Sequence, residues 1–163
     1  MDLTPYRHTE TATIAAPPET VWGVLTDVSR MGELSPVCTG GAWDDGVAAP
    51  AADTWFTGHN AIGEFTWSTR CRVEAAEPGK VFRFINCGGE GDVELVRWGY
   101  ELAPAGDGTA VTETWEILPG YEGFVRGGDM DVDVTPRFDG MAAMAREGMA
   151  VTLARLKDVV EAG

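Results

Sequence analysis

The sequence predicts an α+β fold in which a curved seven-stranded antiparallel sheet wraps around a long C-terminal helix, with two short helices beside it. Three observations support this prediction. Apolar residues recur at helical spacing over residues 135–160. Before them, much of the chain alternates apolar and polar residues, which is the pattern of half-buried antiparallel strands. Turn signals such as Pro78-Gly79 and Gly106-Asp107-Gly108 separate these strands.

The C-terminal helix has a wide apolar face. We expect Thr135 to be its N-cap and Pro136 to occupy its first turn, where a missing N–H is tolerated. Methionine and alanine make up much of this face, and they leave an adaptable surface that can enclose a pocket instead of only filling a core. The face consists of Phe138, Met141, Ala145, Met149, Thr152, Leu153, Leu156 and Val160.

Size and charge limit the classes of function. With 163 residues, the chain is expected to form one domain over residues 1–163. It carries 12 basic and 26 acidic residues, a net charge of −14, so phosphate backbones and anionic membranes repel it and no nucleic-acid partner is expected. No apolar run is long enough to span a membrane. Residues 1–7 lack the pattern of a signal peptide, so we expect a cytoplasmic location.

Cysteine and histidine are too few for a metal centre of the common kinds. The three cysteines, Cys38, Cys71 and Cys87, have no C-x-x-C spacing, and an odd number argues against a disulfide framework. The two histidines, His8 and His59, exclude a multi-histidine site. We therefore expect no metal and no organic cofactor.

Residues 9–14 are predicted to form the first strand, and two short helices follow it. Pro17-Pro18-Glu19 starts a helix that reaches about Val28. Residues 29–34 form the second short helix, which ends before Ser35-Pro36. Further strands are expected at residues 37–43, 54–60, 65–73, around 82–84, 93–102 and 109–118.

Two long connections are predicted as loops that cover a pocket mouth. Residues 44–53 contain glycine, proline and alanine. Residues 119–134 contain four glycines and are long for a connector, and loops of this length often serve as lids or binding loops.

Several sequence features occur together in the order that is typical of one superfamily. They are Ala16-Pro17-Pro18-Glu19-Thr20-Val21-Trp22 with Leu25-Thr26-Asp27-Val28, then Ser35-Pro36, then the spaced set Phe56, Gly58, Asn60, Gly63, Trp67 and Thr69, then Pro78-Gly79 with Phe82 and Phe84, and last Trp98, Tyr100 and Thr109 to Glu113. With these features, nearly the whole chain resembles the START-like (SRPBCC, helix-grip) superfamily and, most closely, its polyketide cyclase/dehydrase branch. The resemblance implies a helix-grip fold. It leaves the chemistry open, since relatives include cyclases, lipid carriers and hormone receptors.

Strand alternation places a set of aromatic residues on the sheet face opposite the long helix. Such residues can simply fill a core, because aromatic side chains bury large areas wherever they fit. Together, however, they favour a cavity for a flat apolar or aromatic molecule. The candidate ligand-binding residues are Phe56, His59, Phe65, Trp67, Phe82, Phe84, Trp98 and Trp115 from the strands, and Phe138, Met141 and Met149 from the helix.

Three polar residues interrupt the apolar face and are the candidate catalytic residues: Glu113, Asn60 and Tyr100. Burial raises the pKa of a carboxyl, which suits Glu113 to proton transfer, with Asn60 and Tyr100 orienting a substrate carbonyl. The structural alternative is that Glu113 only forms a hydrogen bond within the sheet. His59, of opposite alternation to Asn60, is a further candidate proton carrier at the mouth or on the outer face.

One feature of aromatase/cyclase relatives is missing from the predicted inner face. Those relatives use an interior arginine with a tyrosine to hold a polyketone chain, and a bulge would be needed to turn an arginine inward here. Alternation instead predicts an outward orientation for all four arginines of these strands: Arg70, Arg72, Arg83 and Arg97.

The expected function is therefore binding of an aromatic or polyketide-like hydrophobic molecule in an internal cavity, with cyclisation or dehydration by proton transfer as its candidate chemistry. The alternatives are a non-catalytic carrier of lipids or other hydrophobic ligands, and a relative that acts through a protein partner. The ligand is expected to be the main partner, with the chain as a monomer or homodimer and with no stable membrane insertion.

Overall fold

The computed structural model describes all 163 residues. Its elements in chain order are β1 (Arg7–Ile14), α1 (Pro18–Thr26), a 3₁₀ turn (Val28–Arg30), α2 (Met31–Leu34), β2 (Cys38–Trp43), β3 (Trp55–Ile62), β4 (Phe65–Glu77), β5 (Val81–Gly88), β6 (Val93–Ala105), β7 (Gly108–Ile117), α3 (Gly120–Arg126) and α4 (Thr135–Ala162). The predicted order of one strand, two short helices, six strands and a long helix is confirmed.

The seven strands form one antiparallel sheet in the order β1-β7-β6-β5-β4-β3-β2. All neighbours except β1 and β7 are also consecutive in the chain, so short turns suffice to connect most of them. Gly63 in the β3–β4 turn has a φ of +59°, a conformation that favours glycine. Bulges interrupt the register between Cys38 and Gly40, Val73 and Ala75, and Asn86 and Cys87.

Helix α4 lies on the inner face of the sheet and packs mainly along β1, with further contacts to β7, α1 and α2. Its predicted apolar face is buried except for Met141, which is half-buried, and Ala142 is an additional buried member. The N-cap position is Val134 and not Thr135. A carboxylate oxygen of Asp133 instead accepts a hydrogen bond from the N–H of Thr135 at 3.0 Å. No helix of the structure combines the length and the apolar character needed to cross a membrane.

The segment predicted as a long free loop, residues 119–134, contains the short helix α3. Tyr121 is buried and stacks on Phe138 with ring centroids 5.5 Å apart, and the ring of Phe124 lies against Gly88 and Gly89. The guanidinium of Arg126 donates to the carbonyls of residues 130 and 132. The contacts of Tyr121 and Phe124 attach the segment to α4 and to the end of β5, so it is a short helix with flanking turns and not the continuous loop that the sequence predicted.

The outer face of the sheet carries a network of ion pairs. All four strand arginines that alternation placed outward form their contacts on this face: Arg70 with Asp44, Arg72 with Asp53 and Glu94, Arg83 with Glu74 and Glu101, and Arg97 with Glu74 and Glu116. None of the three bulges turns one of these arginines toward α4. The inner face therefore has no arginine from strands β4 to β6.

Candidate functional site

The inner face of the sheet has a packed region, which consists of Phe56, Phe82 and Phe84 with the residues around them. Ring centroids of Phe56 and Phe84 are 5.1 Å apart, and those of Phe82 and Phe84 are 5.4 Å apart. Phe56 and Phe82 are almost completely buried, in a cluster that also contains Leu25 of α1 and Leu156 of α4. Three of the predicted ligand-binding residues thus fill a core, which is the structural alternative that the sequence left open.

The same face also has an open region, where side chains that point toward the interior remain only partly buried. Its members lie on β3 to β6 and on the N-terminal half of α4, and they are Asn60, Trp67, Thr69, Asn86, Trp98 and Met141. Trp98 packs against both large hydrophobic clusters, so it stands at the border between the two regions. Partial exposure of inward side chains indicates that this part of the interior is less completely filled.

Two surface depressions of the molecule lie outside the open region. One, with a volume of about 650 Å³, lies over the charged outer face and is lined by residues such as Arg83 and Arg97. The other, of about 720 Å³, lies beside β6 and the segment before α3 and includes Leu118 and Pro119. Trp115 is the one predicted ligand-binding residue that lines either of them. The predicted internal cavity stays a prediction, and the open region is where it would form.

Glu113 is the most unusual side chain of the inner face. It is 1% exposed, and its Oε1 accepts a hydrogen bond from the hydroxyl of Tyr100 at 3.1 Å. Its Oε2 is buried and has no hydrogen-bond partner. Buried polar atoms are almost always paired, so a carboxyl oxygen without a partner at this depth is an exception that suggests a role.

Burial determines the protonation of this pair. Desolvation is the main cause that raises the pKa of Glu113 to about 8. The hydrogen bond from Tyr100 lowers this pKa, and the charge of Glu10 raises it. Burial, with the charge of Glu113, also raises the pKa of Tyr100 well above its usual value. At neutral pH both groups therefore carry their protons, and the Oε2 side of the Glu113 carboxyl can donate or accept a hydrogen bond.

Strand register extends this polar pair to β1. Glu113 of β7 pairs with Glu10 on the neighbouring strand β1 and with Tyr100 on the other neighbouring strand, β6. His8 Nε2 is 2.8 Å from Oε1 of Glu10. Sequence analysis missed both His8 and Glu10, because β1 was predicted to begin at residue 9 and its pairing with the last strand is non-local. The alternation of Tyr6, His8, Glu10, Ala12 and Ile14 was the available signal.

Asn86 is another polar residue of the interior that sequence analysis missed. Its Oδ1 accepts a hydrogen bond from the thiol of Cys71 at 3.3 Å. Cys71 faces inward, and burial raises the pKa of its thiol, so it remains a neutral donor. The predicted strand around residues 82–84 was too short to include Asn86.

The structure does not bring Asn60 to Glu113. Four strand spacings separate β3 from β7, which is about 19 Å measured across the sheet. The amide of Asn60 instead donates to Oγ1 of Thr69 at 3.1 Å. Of the predicted catalytic trio, only Glu113 and Tyr100 form one site.

Two predicted ligand-binding residues lie outside the enclosed interior. His59 lies on the outer face, where its Nδ1 is 3.0 Å from Oγ of Ser68. Phe65 is 69% exposed at the tip of the β3–β4 hairpin, where it stacks on Trp67 with ring centroids 5.3 Å apart. Alternation assigned its face correctly, but the hairpin extends beyond the enclosed interior. No cluster of three or more potential metal-ligating side chains is present.

Comparison with solved structures supports this fold. A solution NMR structure of the Polyketide_cyc-like protein Cgl2372 from Corynebacterium glutamicum is 32% identical, with a TM-score of 0.68, and the match covers 95% of this chain and 91% of that chain. The crystal structure of Ara h 8.0201 is 13% identical, with a TM-score of 0.63, and covers 97% and 99%. The di-domain ARO/CYC StfQ from the steffimycin biosynthetic pathway is 11% identical, with a TM-score of 0.72, and covers 96% of this chain and 50% of that chain.

The last two similarities show the shared fold alone. A comparison with curated proteins finds no match. Residues 6–161 match the family described as polyketide cyclase / dehydrase and lipid transport. The match extends over almost the whole sequence, and so this chain belongs to the polyketide cyclase/dehydrase and lipid transport family.

Proposed function

We propose that this protein binds an aromatic or polyketide-like hydrophobic molecule in the open region of its inner face, with an oxygen of the ligand bonded to the Glu113 carboxyl. The observation that carries this proposal is the buried Oε2 of Glu113, which has no hydrogen-bond partner within the chain. A ligand carbonyl or hydroxyl would satisfy it. Trp98, partly exposed beside Tyr100 in β6, offers a flat apolar surface next to that position.

The chemistry that fits this site is proton transfer. A carboxyl with a pKa of about 8 is protonated at neutral pH and can donate to a carbonyl oxygen, which is the step that general acid catalysis of cyclisation or dehydration requires. Such catalysis typically contributes ~10²–10⁴ in rate. The family description, which includes cyclases and dehydrases, and the similarity to Cgl2372 support this choice.

A second candidate is a non-catalytic carrier of lipids or other hydrophobic ligands. The observation in its favour is that the arginines of β4 to β6 are all engaged with acidic residues on the outer face, so none can polarise a chain of ketones inside. The family description also includes lipid transport.

Calorimetric titration tests the proposal with two ligand types of similar apolar area, a hydroxylated planar aromatic and a long-chain fatty acid. We expect micromolar affinity for the first, about −8 kcal/mol. Glu113→Leu should weaken it about tenfold through loss of one buried hydrogen bond, and Glu101→Gln, on the outer face, should leave it unchanged. Preference for the fatty acid with no effect of Glu113→Leu would favour the carrier, and no binding of either would contradict both.

A further inference from the structure

The buried carboxyl of Glu113 belongs to a row of polar side chains that crosses three strands. Register places Glu10 of β1, Glu113 of β7 and Tyr100 of β6 side by side on the inner face. Side chains that are directly opposite in an antiparallel pair have Cβ atoms about 5 Å apart. The two glutamates are therefore direct cross-strand neighbours, one partly exposed at the sheet edge and one fully buried.

The two carboxyl groups have different partners. Glu10 has His8, whose Nε2 lies 2.8 Å from its Oε1, and it is in contact with solvent. Glu113 has only the hydroxyl of Tyr100 and one oxygen without a partner. Glu10 therefore lies in a solvated position beside an imidazole nitrogen, whereas Glu113 is enclosed.

No other titratable group competes for this position. The buried residues of α1 and α4 that face the interior are apolar or, at Thr26 and Thr152, hydroxyl-bearing. The charged residues of α4 that reach β1 contact other positions: Asp139 binds the hydroxyl of Tyr6, Arg146 donates to the carbonyl of Pro5, and Lys157 donates to the carbonyl of Thr13.

We propose that Glu10 is a positioning residue for the proton of Glu113: its carboxylate, held in place by His8, adds to the effect of burial in keeping the inner carboxyl protonated. When one of two neighbouring carboxyl groups is ionised, its negative charge raises the pKa of the other. The first group then stays a carboxylate while the second keeps its proton. The biological use of this arrangement rests on the proposed function, because a retained proton matters only when a ligand oxygen reaches Glu113.

The proposal can be tested in the ligand-free protein by ¹³C NMR titration of the glutamate side-chain carboxyl signals, with the signal of Glu113 assigned by its loss in Glu113→Gln. Glu10→Gln should lower the pH at which Glu113 ionises by about half a unit. The matched control is Glu101→Gln, which removes one charge from the outer face of β6 and should leave that pH unchanged.

Two variants of His8 test its part in the arrangement. His8→Phe removes the partner of Glu10, lets its side chain turn toward solvent, and should shift the ionisation of Glu113 in the same direction by a smaller amount. His8→Gln retains a hydrogen-bond donor and should restore the wild-type value. These variants also serve if Glu10→Gln does not fold.

The proposal is overturned if Glu113 ionises at the same pH in Glu10→Gln as in Glu101→Gln, which would leave burial as the whole cause. Failure of the proposed function is a separate outcome, because it would appear as absence of ligand binding and would not alter this titration.

Discussion

The packed and open regions occupy the same face of one sheet, yet they differ in what covers them. Helix α1 and the C-terminal half of α4 supply branched aliphatic side chains against Phe56 and Phe82, and the core there closes. The N-terminal half of α4 supplies alanines and methionines to the second hydrophobic cluster, and Trp98, which packs against that cluster, stays partly exposed. We expect stability to be concentrated in the packed region and, under the proposed function, ligand binding in the open region.

The largest expected effect is on stability, in the packed region. Phe82→Ala should lower the free energy of unfolding by about 3–5 kcal/mol, because Phe82 is fully buried among aromatic neighbours and the cavity left behind cannot collapse. Urea unfolding measures the loss. A loss below about 1 kcal/mol would show that this region is not the stabilising part of the sheet.

A comparable effect on stability depends on pH and comes from the buried carboxyl of Glu113. The pKa of Glu113 is about 8 in the folded chain against a reference value of 4.5, so the folded state holds a proton that the unfolded state releases. This contribution is complete below pH 4.5, declines as pH rises, and is lost above pH 8. The wild type should lose roughly 3–5 kcal/mol of stability across that range through this group.

Glu113→Gln cannot titrate and should lack this decline. Comparison of urea unfolding curves for wild type, Glu113→Gln and the control Glu101→Gln from pH 5 to pH 9 isolates the contribution. Parallel pH profiles for wild type and Glu113→Gln would mean that Glu113 is not held protonated by the fold.

A smaller effect is expected on ligand affinity. Here a variant in the open region should have the larger effect, and a variant in the packed region should have none. Trp98→Leu should weaken binding of a planar aromatic ligand about 10- to 100-fold through loss of the stacking surface. Trp43→Leu is the matched variant, since the indole of Trp43 donates to the carbonyl of Thr26 and packs on Phe56. It should reduce stability and leave affinity unchanged in calorimetric titration. Equal affinity losses in both variants would remove the distinction.

The smallest effect is expected at the hairpin tip. Phe65→Ser should change the free energy of unfolding by no more than about 0.5 kcal/mol, because Phe65 is already 69% exposed. Thermal unfolding of the variant checks this. A loss above about 2 kcal/mol would mean that the tip packs against the rest of the protein in solution.

Local patterns in the sequence account for most of the fold. Alternation identified the faces of Phe82 and Glu113, and helical spacing identified nearly the whole buried face of α4. Both patterns are local, and the hydrophobic face of each element fixes them. The sequence features of the superfamily added the helix-grip arrangement of these elements.

The site was less predictable, because it depends on which strands are neighbours and on how deeply each row is covered. Alternation paired Tyr100 with Glu113 correctly, but it grouped Asn60 with them, although β3 lies four strands away from β7. The contribution of His8 and Glu10 follows from the pairing of the first strand with the last, which no local pattern reveals. Whether an aromatic residue fills a core or lines a pocket depends on the opposing helix, as Phe56 and Trp98 illustrate.

The central claim is that ligands enter the open region and leave the packed region unchanged, and the tryptophan indole N–H signals in a ¹H–¹⁵N NMR titration test it most directly. A bound hydroxylated planar aromatic should shift the signals of Trp98 and Trp115. Those of Trp22 and Trp43, which donate to the carbonyls of Val81 and Thr26 at 3.2 Å, should stay in place. Shifts confined to Trp22 and Trp43, or no shift in any indole at saturating ligand, would contradict the account.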